Sequence, residues 1–134
     1  PPKLESGFLI VSQGVATVKV PLNGNKRGTP VSTAMMAIGV DKDCVEGRVY
    51  WSDISAKAIF SAKYDGKDKK TFVSEDIISP EGIAVDWISR RIYWTDSGKD
   101  TIEVASLDNA TQRTVVVNSG LVNPRGIAVD PLQK

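Results

Sequence analysis

The hexapeptide Arg48-Val49-Tyr50-Trp51-Ser52-Asp53 returns 43 positions later as Arg91-Ile92-Tyr93-Trp94-Thr95-Asp96. Both copies are rich in β-branched and aromatic side chains, which favours a strand buried on both faces. A period in the low forties is the length of one four-stranded propeller blade. Because a single blade cannot bury its own faces, the repeat predicts several blades packed side by side.

A second element recurs with nearly the same period. It reads Ala-Ile-Gly-Val-Asp at 37–41, Gly-Ile-Ala-Val-Asp at 82–86 and the same five residues at 126–130. The innermost strand of a blade crowds against its counterparts near the propeller axis, which favours Gly and Ala on part of its surface. We therefore predict that these segments are the first strands of three successive blades.

The outer strands and their turns repeat as well. Thr101–Leu107 alternates as a half-exposed third strand should, and Arg113–Val117 is predicted as the fourth strand. Tight turns between third and fourth strands are predicted at Asn23-Gly24, Asp65-Gly66 and Asp108-Asn109, because these residues tolerate the positive φ of a hairpin turn.

The N-terminal part belongs to the same pattern in degenerate form. Phe8–Ser12 stands where the aromatic strand belongs but lacks the Tyr, Trp and Asp, and residues 25–34 are predicted to form a surface loop. The sequence thus supplies strands two to four of one blade, two complete blades and the first strand of another, twelve strands in all. The predicted repeats within residues 1–134 are 7–36, 37–81, 82–125 and the start of a further one at 126–134.

Composition excludes several classes of function. The 134 residues are 41% hydrophobic and 25% charged, which is ordinary for a globular protein, and the net charge is +1. No basic-aromatic stripe indicates nucleic acid binding, and no apolar stretch approaches the roughly 20 residues that span a bilayer. We therefore predict neither a nucleic-acid partner nor membrane insertion.

Catalytic chemistry is also disfavoured. The chain has no histidine, so neither a Ser/His/Asp triad nor a histidine base for Cys44 can be assembled. It has no Gly-rich phosphate loop and no Cys-x-x-Cys. We predict no catalytic residues and no cofactor.

The repeated aspartates are predicted to be structural. A catalytic pair needs two unlike environments, whereas a repeat places each carboxylate in the same one. Buried carboxylates must be paired or hydrogen-bonded, and that is the role we expect. Calcium along the propeller axis is the alternative, but no compact loop supplies a ligand set, and no metal site is predicted. The residues concerned are Asp41, Asp53, Asp86, Asp96 and Asp130.

Cys44 is the single cysteine, so a disulfide within these residues is excluded. Two interpretations stay open. It is either a small buried hydrophobic residue in the turn before the Tyr50 strand, or a half-cystine whose partner lies outside this sequence.

Tyr93-Trp94-Thr95-Asp96, preceded by Pro80–Asp86, resembles the motif of the YWTD, or low-density-lipoprotein-receptor class B, six-bladed β-propeller family. Within that family the likeness is greatest to the nidogen propellers, on the basis of Pro21–Gly24, Cys44-Val45 and Leu121–Gly126. The resemblance implies an all-β fold, a partial six-bladed YWTD β-propeller with about three blades' worth of four-stranded antiparallel sheets, and hence about half of the ring.

The resemblance also implies structural roles for the motif. Tyr and Trp fill the wedge between blades, and the motif aspartates accept hydrogen bonds from backbone amides and neighbouring blades. An arginine after the third-strand turn pairs with a motif aspartate. Lys70 holds that place one repeat earlier and lacks the planar fork of arginine, which puts the corresponding ion pair in doubt. The structural set is Tyr50, Trp51, Asp53, Tyr93, Trp94, Asp96 and Arg113.

A non-enzymatic, secreted, extracellular role in the basement membrane follows from the same resemblance. The implied partner is an EGF-like module of a laminin γ chain, bound on the face that carries the links between blades. On that face Glu81 and Arg125 hold the same repeat position with opposite charge. They are either recognition residues or two solvated surface charges. The predicted partner-binding set is Glu81, Arg125, Lys57, Lys99 and Ser97.

Two alternative functions are retained. One is a propeller fragment of a lipoprotein-receptor-related endocytic receptor or Wnt co-receptor. The other, of a different class, is a calcium-dependent propeller hydrolase or lactonase. The rest of the ring is expected from the parent chain or, as the alternative, from a second copy closing head to tail.

Asn109-Ala110-Thr111 matches the acceptor sequence for N-glycosylation. Three-residue matches are common, and Asp108-Asn109 is in any case a good turn pair. Use of Asn109 as a glycosylation site and coincidence both stay open.

Overall fold

The computed structural model describes residues 7–22 and 27–133, which form ten strands. The strands are β1 (Phe8–Ser12), β2 (Gly14–Pro21), β3 (Thr29–Asp43), β4 (Arg48–Asp53), β5 (Ala58–Lys63), β6 (Lys70–Val73), β7 (Pro80–Asp86), β8 (Arg91–Asp96), β9 (Thr101–Ser106) and β10 (Arg113–Val117). Over the same ranges, no helix is long and apolar enough to cross a membrane. The predicted turn at Asn23-Gly24 lies outside the described residues.

The strands form two antiparallel sheets. β1 to β6 lie side by side in chain order in a six-stranded sheet, and β7 to β10 form a four-stranded sheet. Sequential neighbours joined by short turns are the pattern of propeller blades. The second sheet is one complete blade, and the first contains one blade and three strands of another.

β3 belongs to two blades at once. Its first part pairs with β2, where Thr29 lies opposite Lys19, and its second part pairs with β4, where Asp43 lies opposite Arg48. The prediction of a surface loop at residues 25–34 is therefore wrong from Thr29 onward. Pairing with β2 satisfies the backbone of this segment, and Val31 is buried beneath it.

The repeat is kept in the register of the strands. In the β3–β4 pair, Val40 lies opposite Trp51, and the register then shifts before Ala37. In the β7–β8 pair, Ile83 lies opposite Trp94, and the same shift follows. By register, Val40 therefore matches Ile83 and Asp43 matches Asp86, so the predicted alignment of 37–41 with 82–86 is wrong by two residues. Equivalent residues thus occupy equivalent places, irregularities included.

Each motif tryptophan is fully buried in a wedge between two blades. Trp94 packs with Ile59 and Val73 of the preceding blade, in a cluster that includes Tyr50. Trp51 lies in a second cluster with Val31, towards the first blade. The aromatic residues thus join blades to one another.

The predicted first strand at 126–130 is not formed. Residues 124–130 have no regular secondary structure and belong to neither sheet. The first strand of a blade pairs with the second strand of the same blade, and no such strand follows within this sequence. Tyr93 is half buried, whereas its equivalent Tyr50 is covered by the next blade.

Candidate protein-interaction face and the contacts that build it

Asp53 fixes one end of its blade by accepting four backbone hydrogen bonds. Met35 and Met36, in the middle of β3 where it passes from one blade to the next and so serves as their link, donate to its carboxylate at 2.8 and 3.1 Å. Ser55 and Ala56, in the turn after the second strand, donate at 3.0 and 2.9 Å. The carboxylate therefore holds the link and the turn together.

Asp96 repeats this arrangement one blade later. Ile78 and Ser79 donate to it from the link at 2.9 and 3.0 Å, and Gly98 and Lys99 donate from the turn at 3.0 and 3.1 Å. Links and turns therefore share one surface of the disc, which we call the link face. It comprises residues 35–38, 54–57, 78–81, 97–100 and 121–125.

The backbone amides around Asp53 also lower the pKa of its carboxyl group. Burial raises the pKa of the Asp53 carboxyl, but the hydrogen bonds from Ala56, Met35, Met36 and Ser55 lower it by more. The net result is a pKa below the ordinary value, because a carboxylate that accepts several backbone hydrogen bonds is stabilised in its charged form.

The third motif residue ties one blade to the next. Ser52 Oγ accepts a hydrogen bond from the Gly39 amide of its own blade at 2.8 Å. It donates to the Glu81 carbonyl of the following blade, also at 2.8 Å. No role is predicted for this position from the sequence.

Thr95 makes the equivalent bridge. Its Oγ1 accepts from the Gly82 amide at 2.9 Å and donates to the Arg125 carbonyl at 2.5 Å. The signal was present in the sequence, because the repeat replaces Ser by Thr and so conserves a hydroxyl within the chain itself.

Two glycines allow the inner strands to approach closely. A Cβ atom on Gly39 would lie 1.9 Å from the Glu81 carbonyl oxygen, and one on Gly82 would lie 2.1 Å from the Arg125 carbonyl oxygen. No side chain fits at these distances. The glycines are therefore required where β3 meets β7 and where β7 meets residues 125–127.

Glu81 and Arg125 face each other across a blade boundary. Arg125 Nε lies 3.8 Å from Glu81 Oε1, and the two side chains are 79% and 16% exposed. Such a long pair, with its arginine largely exposed to solvent, adds little stability. The two opposite charges thus attract each other weakly, and the arginine side chain stays available to a partner on the link face.

The other predicted partner-binding residues differ in availability. Lys57 is exposed, at a positive φ of 53°, while Ser97 is half buried with its amide bonded to the link. Lys99 Nζ lies 3.2 Å from carboxylate oxygens of both Asp76 and Glu103, and its side chain is only 17% exposed. All lie on the link face, but Lys99 is already held by internal partners.

Arg113 pairs with Glu103 rather than with a motif aspartate. Its Nη2 lies 2.8 Å from Glu103 Oε1, and it donates to the carbonyls of Glu75 and Asp76. The guanidinium also lies 5.1 Å from the centre of the Trp94 ring. Arg113 therefore covers the tryptophan and fixes the start of the link.

In the preceding blade Lys69, and not Lys70, covers the motif tryptophan as Arg113 does. Lys70 is exposed at the surface. Lys69 Nζ lies 5.7 Å from the Trp51 ring and 5.0 Å from the Phe60 ring. It also donates to the Thr33 carbonyl, the equivalent of Asp76. Lys69 thus makes cation–π contacts at the place where Arg113, in the next blade, makes both a cation–π contact and an ion pair.

A further ion pair joins the β3–β6 blade to the β7–β10 blade, on the opposite side of the disc. Both terminal nitrogens of Arg90 lie 2.7 Å from the Asp43 carboxylate, which is fully buried. Burial raises the pKa of Asp43, but Arg90 and the Val45 amide lower it by more, so it lies below its usual range. Sequence reasoning did not find this pair.

The link face also carries a row of exposed apolar side chains. Met35, Ile78 and Val122 hold matching places in three successive links, and all three are exposed. Met36 and Ile38 extend the row beside Met35. Exposed apolar side chains on the same face as charged ones are typical of protein interaction surfaces.

Two remaining residues lie on the opposite side of the disc. Cys44 is exposed in the β3–β4 turn, so its interpretation as a buried hydrophobic residue is wrong. The turn projects into solvent, whereas Asp43, directly before Cys44, is fully buried. Asn109 is exposed at the β9–β10 turn. In residues 7–22 and 27–133, no three acidic or cysteine side chains gather closely enough to hold a metal ion.

The low-density lipoprotein receptor repeat class B family matches residues 47–87 and 90–131. These ranges cover more than half of the chain, which therefore belongs to that family. The predicted family is confirmed, and its repeat is counted from the second strand of each blade.

Within the family, this chain is similar to the nidogens. It is 65% identical over 119 residues to Nidogen of Drosophila melanogaster, which covers 89% of this chain and 9% of that protein. A crystal structure of a nidogen/laminin complex superposes with a TM-score of 0.85 at 41% identity, covering 93% of this chain and 49% of that chain. The predicted all-β, partial-propeller fold is confirmed.

A more distant structure shares the fold alone. Regucalcin, a calcium-binding protein from Agrobacterium tumefaciens, superposes with a TM-score of 0.70 at 12% identity, covering 95% of this chain and 47% of that chain. The chain thus spans less than a tenth of the nidogen that it matches and about half of each solved structure.

Proposed function

We propose that this chain is part of an extracellular, non-enzymatic, protein-binding propeller of the basement membrane, and that its partner is a laminin. The observation that carries the proposal is the likeness to the nidogen of a nidogen/laminin complex, at 41% identity over 93% of the chain. By the family resemblance, the bound element is an EGF-like module of the laminin γ chain.

The link face supports this role physically. Asp53 and Asp96 fix its links and turns through four backbone amides each, so little conformational entropy is lost when a partner binds. Exposed Met35 and Ile78 offer apolar contact, and Arg125, on the same face, offers charge. We propose that Arg125, Glu81 and Lys57 contact the partner, with Ser97 and Lys99 in supporting positions.

The proposal is tested by exchanging Glu81 and Arg125 in the full-length protein. Glu81→Arg with Arg125→Glu keeps the ion pair but reverses the charge pattern of the face. We expect laminin affinity to fall at least about tenfold, equivalent to about 1.4 kcal/mol, at an unchanged melting temperature. Surface plasmon resonance against immobilised laminin measures the first quantity and calorimetry the second.

Lys67→Glu is the matched control. Lys67 is an exposed lysine in the β5–β6 turn, on the side of the disc away from the link face, and its reversal is expected to leave affinity unchanged. Equal affinity of the exchanged variant and the natural protein would refute this use of the face. Loss of binding in the Lys67 control instead would place the interface on the other side.

A further inference from the structure

One motif of the sequence has no part in the proposed interaction face. Asn109-Ala110-Thr111 is the single Asn-x-Ser/Thr sequence among the 134 residues. It falls in the turn between β9, which ends at Ser106, and β10, which begins at Arg113. The chain therefore offers one N-glycosylation acceptor, at the tip of a hairpin.

The turn presents this acceptor in a defined conformation. Asn109 donates its amide to the Ser106 carbonyl and accepts from the Gln112 amide, which closes the turn. Ala110 packs against the buried cluster between the blades and anchors the tip. Asn109 and Thr111 themselves are exposed. The acceptor is therefore held outward by a tip whose middle residue is fixed.

The side chains of the motif contact each other. Asn109 Oδ1 accepts hydrogen bonds from Thr111 Oγ1 at 2.6 Å and from the Thr111 amide at 3.0 Å. Both bonds use the oxygen of the Asn109 amide. Among the hydrogen bonds of the described residues, Asn109 Nδ2 donates to no protein group. Attaching a sugar to Nδ2 would therefore break no hydrogen bond within the protein.

The turn lies on the side of the disc away from the link face. Leu107, at its start, donates to the Arg90 carbonyl in the β7–β8 turn. Successive turns of an antiparallel sheet alternate between its two ends, so these two turns share one end and the link face occupies the other. A substituent on Asn109 would project away from Arg125 and Met35.

We propose that Asn109 is an N-glycosylation site and that its oligosaccharide covers the turn side of the disc, leaving the link face bare. In the reaction, Asn109 Nδ2 forms a bond to C1 of an oligosaccharide carried on a lipid diphosphate. The C1–O bond breaks, the lipid diphosphate leaves with the electron pair, and Nδ2 loses one proton. This inference rests on the extracellular role proposed above, because N-glycosylation occurs on proteins that enter the secretory pathway.

The test uses the full-length protein secreted from a eukaryotic cell line. Trypsin releases residues 100–113 as one peptide, in which Asn109 is the only asparagine. We expect mass spectrometry to find this peptide carrying hexosamine and hexose, and an amidase in heavy-oxygen water to convert Asn109 to labelled aspartate. Asn109→Gln and Thr111→Ala abolish the modification, while the matched Thr111→Ser retains it.

Recovery of peptide 100–113 wholly unmodified from the secreted protein would overturn the proposal. Removal of the sugar is expected to leave laminin affinity unchanged, and a loss of affinity would contradict its placement away from the link face. Occupancy is read from the peptide itself. A glycosylated protein that bound no laminin would therefore refute the proposed function and leave the glycosylation site established.

Discussion

At the scale of single residues, the two polar positions of the motif have different tasks. The aspartate organises one end of its own blade through four backbone amides, whereas the hydroxyl of Ser52 or Thr95 reaches the next blade. The repeat predicted carboxylates bonded to backbone, because both copies keep Asp at this position. It could not reveal Glu103 as the partner of Arg113, because the equivalent of Glu103 one blade earlier is Phe60 and no pattern marks it.

The same limit applies to the buried ion pair of Arg90 with Asp43. The residue that matches Arg90 one blade earlier is Gly47, so the contact occurs once in the described chain and leaves no trace in the repeat. Features that recur are visible to sequence reasoning, and features that break the repeat are not.

Stability is expected to fall in acid because of Asp43 and Asp53. Both have pKa values lowered in the folded protein, so their contribution is complete above the unfolded pKa of about 3.9 and is lost as the pH falls through the folded value. Urea denaturation between pH 7 and pH 3 should show a steep loss of unfolding free energy below about pH 4.

Asp53→Asn checks the assignment of this loss. The amide keeps the shape but loses the charge, and we expect about 1–3 kcal/mol of destabilisation at pH 7 with a shallower decline in acid. Asp65→Asn, at an exposed turn, is the control and should leave both the stability and its slope unchanged. An equal acid slope in Asp53→Asn and the natural protein would assign the loss to other groups.

At the scale of elements, blades are joined through their innermost strands. Gly39 and Gly82 bring a carbonyl of the next blade within reach, and Ser52 and Thr95 bond to that carbonyl. The close approach and the hydrogen bond depend on each other, because a side chain at the glycine would move the carbonyl away from the hydroxyl.

Substitution of Ser52 tests this joint. Ser52→Ala leaves the Gly39 amide and the Glu81 carbonyl without their hydroxyl partner, and we expect the unfolding free energy to fall by about 1–3 kcal/mol. Ser52→Thr is the matched control, since Thr95 makes the same two bonds one blade later. If alanine and threonine prove equally stable by calorimetry, the bridge contributes nothing.

At the scale of the whole molecule, the order of the strands could be predicted because the repeat overrides local propensity, but the predicted twelve strands are ten in the described residues. The element at 126–130 was predicted as a strand from its sequence, yet it is unpaired, since a strand depends on its neighbour and not on its own residues alone. The shared course of β3 was missed because Gly, Thr and Pro at 28–30 are typical of loops.

We expect Gly126 to matter only where a further blade is present. In the described chain, a Cβ on Gly126 would meet nothing within 4 Å, in contrast to Gly39 and Gly82. If residues 126–130 begin another blade, Gly126→Ala in the full-length protein should cost about 1–3 kcal/mol by overpacking. Asn118→Ala, at an exposed neighbouring position, is the control. Equal melting temperatures of the two variants would show that no blade packs against this glycine.

The unbroken course of β3 also determines where the disc can bend. The first two blades share this strand, whose first part pairs with β2 and whose second part pairs with β4, and Ala37 between them pairs with both Gly14 and Asp53. Between β6 and β7 the only covalent connection is the segment 74–79. Under a pulling load, we therefore expect the blades to separate first at this second boundary, where side-chain contacts such as Ser52 to Glu81 and Arg90 to Asp43, rather than a shared strand, oppose the force.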